Sequence, residues 1–242
     1  MWLLAVDLGW TTGASGVCAL EQTAKGQLRF HEWDTLPHHA VVLDWITEYL
    51  AAKVPITLAI DAPLVIKNQT GSRPVDKEMQ RLFAEKHAGV YPANQQQDFY
   101  LPMMAFVARL MELGFVHAAP IAEKPRYEML EVYPHATTVR LFNLKKILKY
   151  KKGTKRERLQ ELEWLYQLQC SHFDALKPTL SVPPMPDTGT TLKTLKTAED
   201  KLDALTCAYT AAWWAEHRQQ YNQYVGALDT GYLVVPCLNR YQ

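Results

Sequence analysis

Leu3-Leu4-Ala5-Val6-Asp7-Leu8-Gly9 is a short apolar run that ends in a carboxylate and opens into a glycine-bearing loop. A run of this length, with its first charge at the exit, predicts a buried strand that delivers Asp7 to the end of a sheet. Ile56-Thr57-Leu58-Ala59-Ile60-Asp61 repeats the pattern. A carboxylate beside a core costs free energy unless something positive compensates it, so two buried strands that both end in Asp call for a reason beyond folding.

The elements between these strands set their relationship. Residues 15–20 and 27–33 predict two further strands joined through Gly26, giving an antiparallel three-stranded meander with the first strand. Val41, Val42, Trp45, Ile46, Tyr49 and Leu50 recur at helical spacing and predict the first helix. Strand, helix, strand is a right-handed crossover unit whose two strands run parallel. Adjacent strands lie ~4.8 Å apart, so Asp7 and Asp61 are expected side by side at one sheet end.

The remaining segments continue the alternation. Residues 74–86 predict a helix, with Arg73, Lys77 and Arg81 roughly along one side, and residues 100–113 an apolar helix stopped by Gly114. In the latter, Met103, Met104, Phe106, Val107 and Leu110 are expected in the core. Residues 129–133 predict a fifth strand containing Glu131. Residues 137–149 and 155–173 predict helices, and eight basic residues against one acid between positions 145 and 158 read either as a solvated helical hairpin or as a phosphate-contacting patch. Four prolines in residues 177–191 predict a long loop, residues 196–217 a long helix, and residues 226–235 a final extended segment. The expected organisation is a single domain over residues 1–242, with a helical insertion and Pro-rich loop at about 140–195.

Composition narrows the function classes. The formal charge of +1 provides no global basic field, so nucleic-acid contact must rest on local patches. The four cysteines are scattered, without zinc or disulfide spacing. The apolar stretch at the start is cut by Asp7, too early for a signal peptide or membrane span. A cytoplasmic protein with no membrane partner is expected.

Asp200 and Asp203 are three residues apart, on one face of the long helix, and Leu202, Ala204, Leu205 and Ala208 place at least one of them at the border of the buried face. Asp7, Asp61, Glu131 and Asp203, joined by Asp200, form a set of hard oxygen ligands suited to Mg2+ or Mn2+ rather than zinc. Two such ions about 3.5–4 Å apart can activate water and stabilise the leaving oxygen of a phosphodiester. The expected role is therefore catalytic for Asp7, Asp61, Glu131 and Asp203.

Five short motifs follow in order: Val6-Asp7 before a Gly-Trp loop, Ile60-Asp61-Ala62-Pro63-Leu64, Arg73-Pro74-Val75-Asp76, Glu131-Val132-Tyr133-Pro134-His135 and Asp203-Ala204-Leu205. Together they resemble the domain-of-unknown-function 429 family, whose members are predicted RNase H-like nucleases. The resemblance implies an α/β RNase H-like fold with a mixed five-stranded sheet of order 3-2-1-4-5 and helices on both faces. It also implies a metal-binding role for the acids. The pair Asp200 and Asp203 is similar to the paired helix acids of Holliday-junction resolvases in the same superfamily. The loop of residues 8–13 lacks a basic residue and is not assigned phosphate contact.

Substrate contacts are expected from Arg73, Lys77 and Arg81 near Asp61 and from Lys151, Lys152, Lys155 and Arg156, with DNA or RNA as partner and a homodimer favoured if recognition is structure-specific. Trp10, Tyr91 and Tyr100 fit base stacking and core packing equally. Two rival readings stand beside this one. The stretch from Asp7 to Gly13 also resembles the first phosphate loop of actin-like kinases and ATPases, with Asp187-Thr188-Gly189-Thr190-Thr191 as the second, but that fold needs a second strand meander. Alternatively the acids are neutralised by Arg73, Lys77, Arg126 or Arg140 in a non-catalytic binding module. His135 is expected near Glu131.

Overall fold

Continuous apolar runs build central strands that are buried on both faces. In the computed structural model, which describes residues 1–9, 13–120 and 124–239, β1 (Trp2–Asp7), β2 (Ser15–Ala24) and β3 (Gln27–Leu36) form the antiparallel meander. Helix α1 (His39–Leu50) crosses over to β4 (Ile56–Asp61), which pairs parallel to β1. Helix α2 (Pro74–Phe83) and α3 (Tyr100–Glu112) precede β5 (Val116–His117) and β6 (Tyr127–Glu131), and β6 is parallel to β4. Then come α4 (Pro134–Leu141), α5 (Lys155–Ala175), β7 (Thr179–Leu180), α6 (Leu192–His217) and a hairpin of β8 (Asn222–Ala227) with β9 (Gly231–Pro236).

The sheet order is β5-β6-β4-β1-β2-β3-β7. Its central five strands stand in the expected 3-2-1-4-5 order, with β6 as the fifth, and the arrangement is RNase H-like. Two-residue strands β5 and β7 extend the sheet to seven. They are too short for a periodic pattern to reveal them in the sequence.

Side chains of successive strand residues point to opposite faces. Leu4, Val6, Leu58 and Ile60 meet α1 and α3 through Val42, Ile46, Met103, Phe106 and Leu110. Leu3, Ala5, Cys18, Leu20 and Ala59 meet α5 and α6 through Leu162, Leu165, Leu202 and Leu205. Each fully buried leucine on these faces contributes ~1.5–3 kcal/mol over an exposed one. A third cluster seats α2 and α4 on the C-terminal hairpin, through Val75, Phe83, Val139, Val225 and Leu233.

Three expectations from sequence are corrected. The helix expected over 137–149 is α4, which starts at Pro134 and ends at Leu141: Asn143 takes a left-handed backbone, and the following chain turns inward to bury Leu148 and Tyr150. The basic stretch is therefore a loop leading into α5, not a helical hairpin. The long helix begins four residues earlier than expected, at Leu192, because the Thr191 hydroxyl accepts from the Thr194 amide and caps it. Among the described residues no helix is long and apolar enough to cross a membrane.

Candidate functional site

Strand parity assembles the acids. Asp7 follows Leu3 and Ala5 on the face covered by α6, and Asp61 follows Ala59 on the same face. The parallel register pairs Asp7 directly with Asp61. Across the other edge of β1, Asp7 is level with Gly16 of β2. A Cβ at Gly16 would lie 2.2 Å from the Asp200 carbonyl oxygen, so glycine is what lets α6 approach the sheet at this level. Asp200 is thereby brought to the cleft, and Asp203, one turn on, is wholly buried at 0% exposure.

Asp7 and Asp61 differ from the helix acids in their partners. Among the described residues no hydrogen bond or ion pair holds either strand carboxylate. Burial above all, with the charges of Asp203 and Asp200 adding to it and those of Lys151 and Lys196 acting in the opposite direction, pushes the Asp7 carboxyl up to about 6. Burial and the neighbouring Asp7 push Asp61 well above the ordinary carboxylate range. Asp203 also loses hydration, but the charge of Lys151, with the Tyr150 hydroxyl, more than offsets that, and its pKa lies below the ordinary value. The Tyr150 hydroxyl donates to Asp203 Oδ1 at 2.7 Å, and Lys151 Nζ lies 2.7 Å from Oδ2. Asp200 is ion-paired with Lys196 one turn back on α6, though burial still raises its pKa.

Two adjacent carboxylates that lack donors and repel one another are a donor set that fits a hard divalent cation. Asp7 and Asp61 would be its first ligands. Among the described residues no three Asp, Glu, His or Cys side chains are grouped to hold a metal as they stand. Lys151 and Lys196 hold Asp203 and Asp200 in ion pairs.

Glu131 has a different partner from the one expected. Its strand parity, shared with Met129, sends it away from the α6 face, where Leu130 and Val132 pack. There its two oxygens accept from Arg73 Nη2 at 2.6 Å and Nη1 at 2.9 Å, and the Leu64 amide adds a third bond at 2.8 Å. Burial raises its pKa, with Arg73 acting in the opposite direction. Arg73, expected to bind substrate, is 2% exposed and spends its donors on Glu131, Asp76 and the Val65 carbonyl. The ion-pair reading thus holds for Glu131 and Arg73. It does not hold for Arg126, which donates to the Lys53 carbonyl, or for Arg140, which donates to Gln223.

The other basic residues divide. Lys77 is exposed on α2, and Arg81 pairs with Glu78, so neither lines the cleft. Lys155 donates to the Thr190 carbonyl, and Arg156 is exposed. Lys152, by contrast, lines a cavity of about 710 Å³ together with Lys149. This cavity shares Tyr91, Tyr133, His135 and Lys151 with a cavity of about 370 Å³ that contains Asp7, Asp61, Glu131 and Asp200. The two form one groove running from the acids to the basic loop. His135 lies in it beside Tyr150, its ring nitrogen 3.4 Å from that hydroxyl, and burial with Lys151 lowers its pKa to about 4, so it is neutral.

Sequence reading missed Tyr150, Lys196 and the role of Lys151 beside the acids. Lys196 four residues before Asp200 is a legible helical ion pair, whereas the inward turn of Tyr150 carries no local signal. Of the rival phosphate loops, Trp10, Thr11 and Thr12 lie outside the described residues. Asp187 lines a separate cavity with Trp33 and Lys201, and residues 134–217 hold one two-residue strand instead of a second meander.

The family described as protein of unknown function (DUF429) matches residues 6–225. No curated protein matches the chain. Two solved structures are similar to it. One is described as Thermus thermophilus RuvC, at 12% identity and a TM-score of 0.39, with 88% of this chain and 98% of that chain covered. The other is T. thermophilus RuvC in complex with a Holliday junction substrate, at 14% identity and a TM-score of 0.36, with 88% and 95% covered.

Proposed function

The chain belongs to the DUF429 family, and we propose that it is a divalent-metal-dependent phosphodiester hydrolase acting on nucleic acid. The observation that carries this reading is the register pair of Asp7 and Asp61: two half-buried carboxylates at the ends of parallel strands, without donors among the described residues, facing a cleft. They would hold Mg2+ or Mn2+, with Asp203 and Asp200 beside them. When bound, such an ion lowers the pKa of a coordinated water and stabilises charge on a phosphate.

The chain's own groups supply the rest. Lys151 brings a positive charge to the acids, 35% of its side chain remaining open to solvent. The groove leads away past Tyr91, which is 72% exposed, to Lys149 and Lys152. That combination of an exposed ring and ammonium groups suits a single strand or an unpaired end, with stacking on the ring and phosphates against the lysines. Glu131 is a positioning residue in this reading: through Arg73 and the Leu64 amide it fixes the segment after Asp61.

The test is a panel of labelled single-stranded, duplex, hybrid and branched DNA and RNA, each incubated with the purified chain and Mg2+ or Mn2+. Metal-dependent cleavage is expected on at least one. Asp7→Asn and Asp61→Asn should each lower it by more than about a hundredfold, a barrier increase of ~2.7 kcal/mol. A panel without cleavage, or unchanged cleavage in both variants, overturns the proposal.

A further inference from the structure

Lys151 stands where a cation would be expected. Its Nζ lies 2.7 Å from Asp203 Oδ2, and among the described residues no donor is aligned with that buried oxygen as a hydrogen bond. Asp203 Oδ1 is taken by Tyr150, so both oxygens of the helix carboxylate face groups from the 149–152 loop. Asp7 and Asp61 feel the same ammonium charge.

The lysine is held there. Tyr150, next to it, is buried and bonded to Asp203. The Tyr150 carbonyl accepts from Arg158 Nε at 3.2 Å, and the same guanidinium donates to Glu199 of α6 at 2.7 Å. The Lys152 amide closes a turn onto the Lys149 carbonyl at 3.1 Å. The loop is therefore tied through residue 150 to the helix that carries Asp203, and residue 151 lies within a closed turn. A solvated surface lysine has no such supports.

Charge leads to the same place. When ionised, Asp7, Asp61, Asp200 and Asp203 contribute four negative charges, and Lys151 and Lys196 return two. One divalent ion balances the remainder, while a second would add two uncompensated positive charges next to an ammonium before any phosphate arrived.

Resting on the metal-site reading above, we infer that Lys151 is the second cation of this site, so that the protein takes a single divalent ion beside its ammonium. The ion belongs to Asp7 and Asp61, and the ammonium belongs to Asp203.

Mn2+ titration of the full chain, followed by the loss of the free-ion paramagnetic resonance signal, counts bound ions without reference to activity. One ion per chain is expected for the natural protein and for Lys151→Arg. Lys151→Met keeps the length of the side chain and removes its charge, and two ions are expected there. Two ions on the natural protein overturn the inference whether or not the variant folds, as does a folded Lys151→Met chain that still takes one. Failure of every form to bind Mn2+ overturns the metal-site reading itself, an outcome distinct from a wrong count.

Discussion

A carboxyl group at the end of a buried strand loses hydration, and at Asp7 the neighbouring acids add to that loss. Its pKa rises from 3.8 to about 6. Because the folded value lies above the unfolded one, the folded state is favoured at low pH and loses that advantage as pH climbs through about 6. Asp7→Asn removes the ionisable group, so at pH 8 and without divalent ions the variant should be more stable on the order of 2 kcal/mol. Urea denaturation at pH 8 and pH 3.5 measures it: the gain should be present at pH 8 and gone at pH 3.5, and a less stable variant at pH 8 counts against the electrostatic account. The same proton sets activity. Proton and metal compete for this carboxyl, so metal-dependent cleavage should fall on acidification and the fall should shift to lower pH as the metal concentration is raised. Arg73 presents the opposite case, a cation buried between Glu131 and Asp76. Arg73→Met leaves two buried carboxylates uncompensated and should cost about 3–5 kcal/mol in the same denaturation assay. Arg73→Lys should not restore it, since an ammonium cannot reproduce the two-pronged contact.

At the scale of elements, the site depends on how closely α6 lies on β1 and β2. Gly16 sets that distance, and the closest atom a methyl group would meet is backbone, which cannot rotate away. Gly16→Ala should therefore push α6 outward, destabilise the fold by about 1–3 kcal/mol, and lower cleavage by separating Asp203 from Asp7. A chain equal to the natural one in both melting temperature and activity would show that the approach is not required. Helix periodicity in the sequence placed α6 correctly in outline, and it placed Asp200 and Asp203 on one face. It misjudged residues 142–149, where apolar residues at roughly helical intervals are recruited one by one into the core and the backbone between them is irregular. Local spacing and tertiary burial compete in such a segment, and burial prevails.

For the whole molecule, the relevant feature is a groove joining the acid cleft to the loop that carries Lys149 and Lys152. With a near-neutral chain, binding should come from this local charge. Lys149→Ala together with Lys152→Ala should weaken binding to single-stranded DNA and flatten the log–log salt dependence by roughly 0.7 for each phosphate that is no longer neutralised. Fluorescence anisotropy across a salt series reads both quantities, and an unchanged slope would place the nucleic acid elsewhere. Lys77 has no part in this surface, because it is exposed on α2 away from the groove. Tyr91 is the exposed aromatic residue that the groove offers.

By itself the sequence determined the central sheet, the crossover between β1 and β4 and the meeting of Asp7 with Asp61. All of these follow from short-range patterns: apolar runs, turn residues and the fixed geometry of parallel neighbours. It also singled out Asp200 and Asp203, because helical spacing is local. Only the tertiary structure decided which charges compensate which acids. Glu131 went to Arg73 through the parity of a strand, and Asp203 went to Lys151 through a loop folded back against α6. Both ion pairs join residues far apart in the chain, and a charge carries no mark of its distant partner.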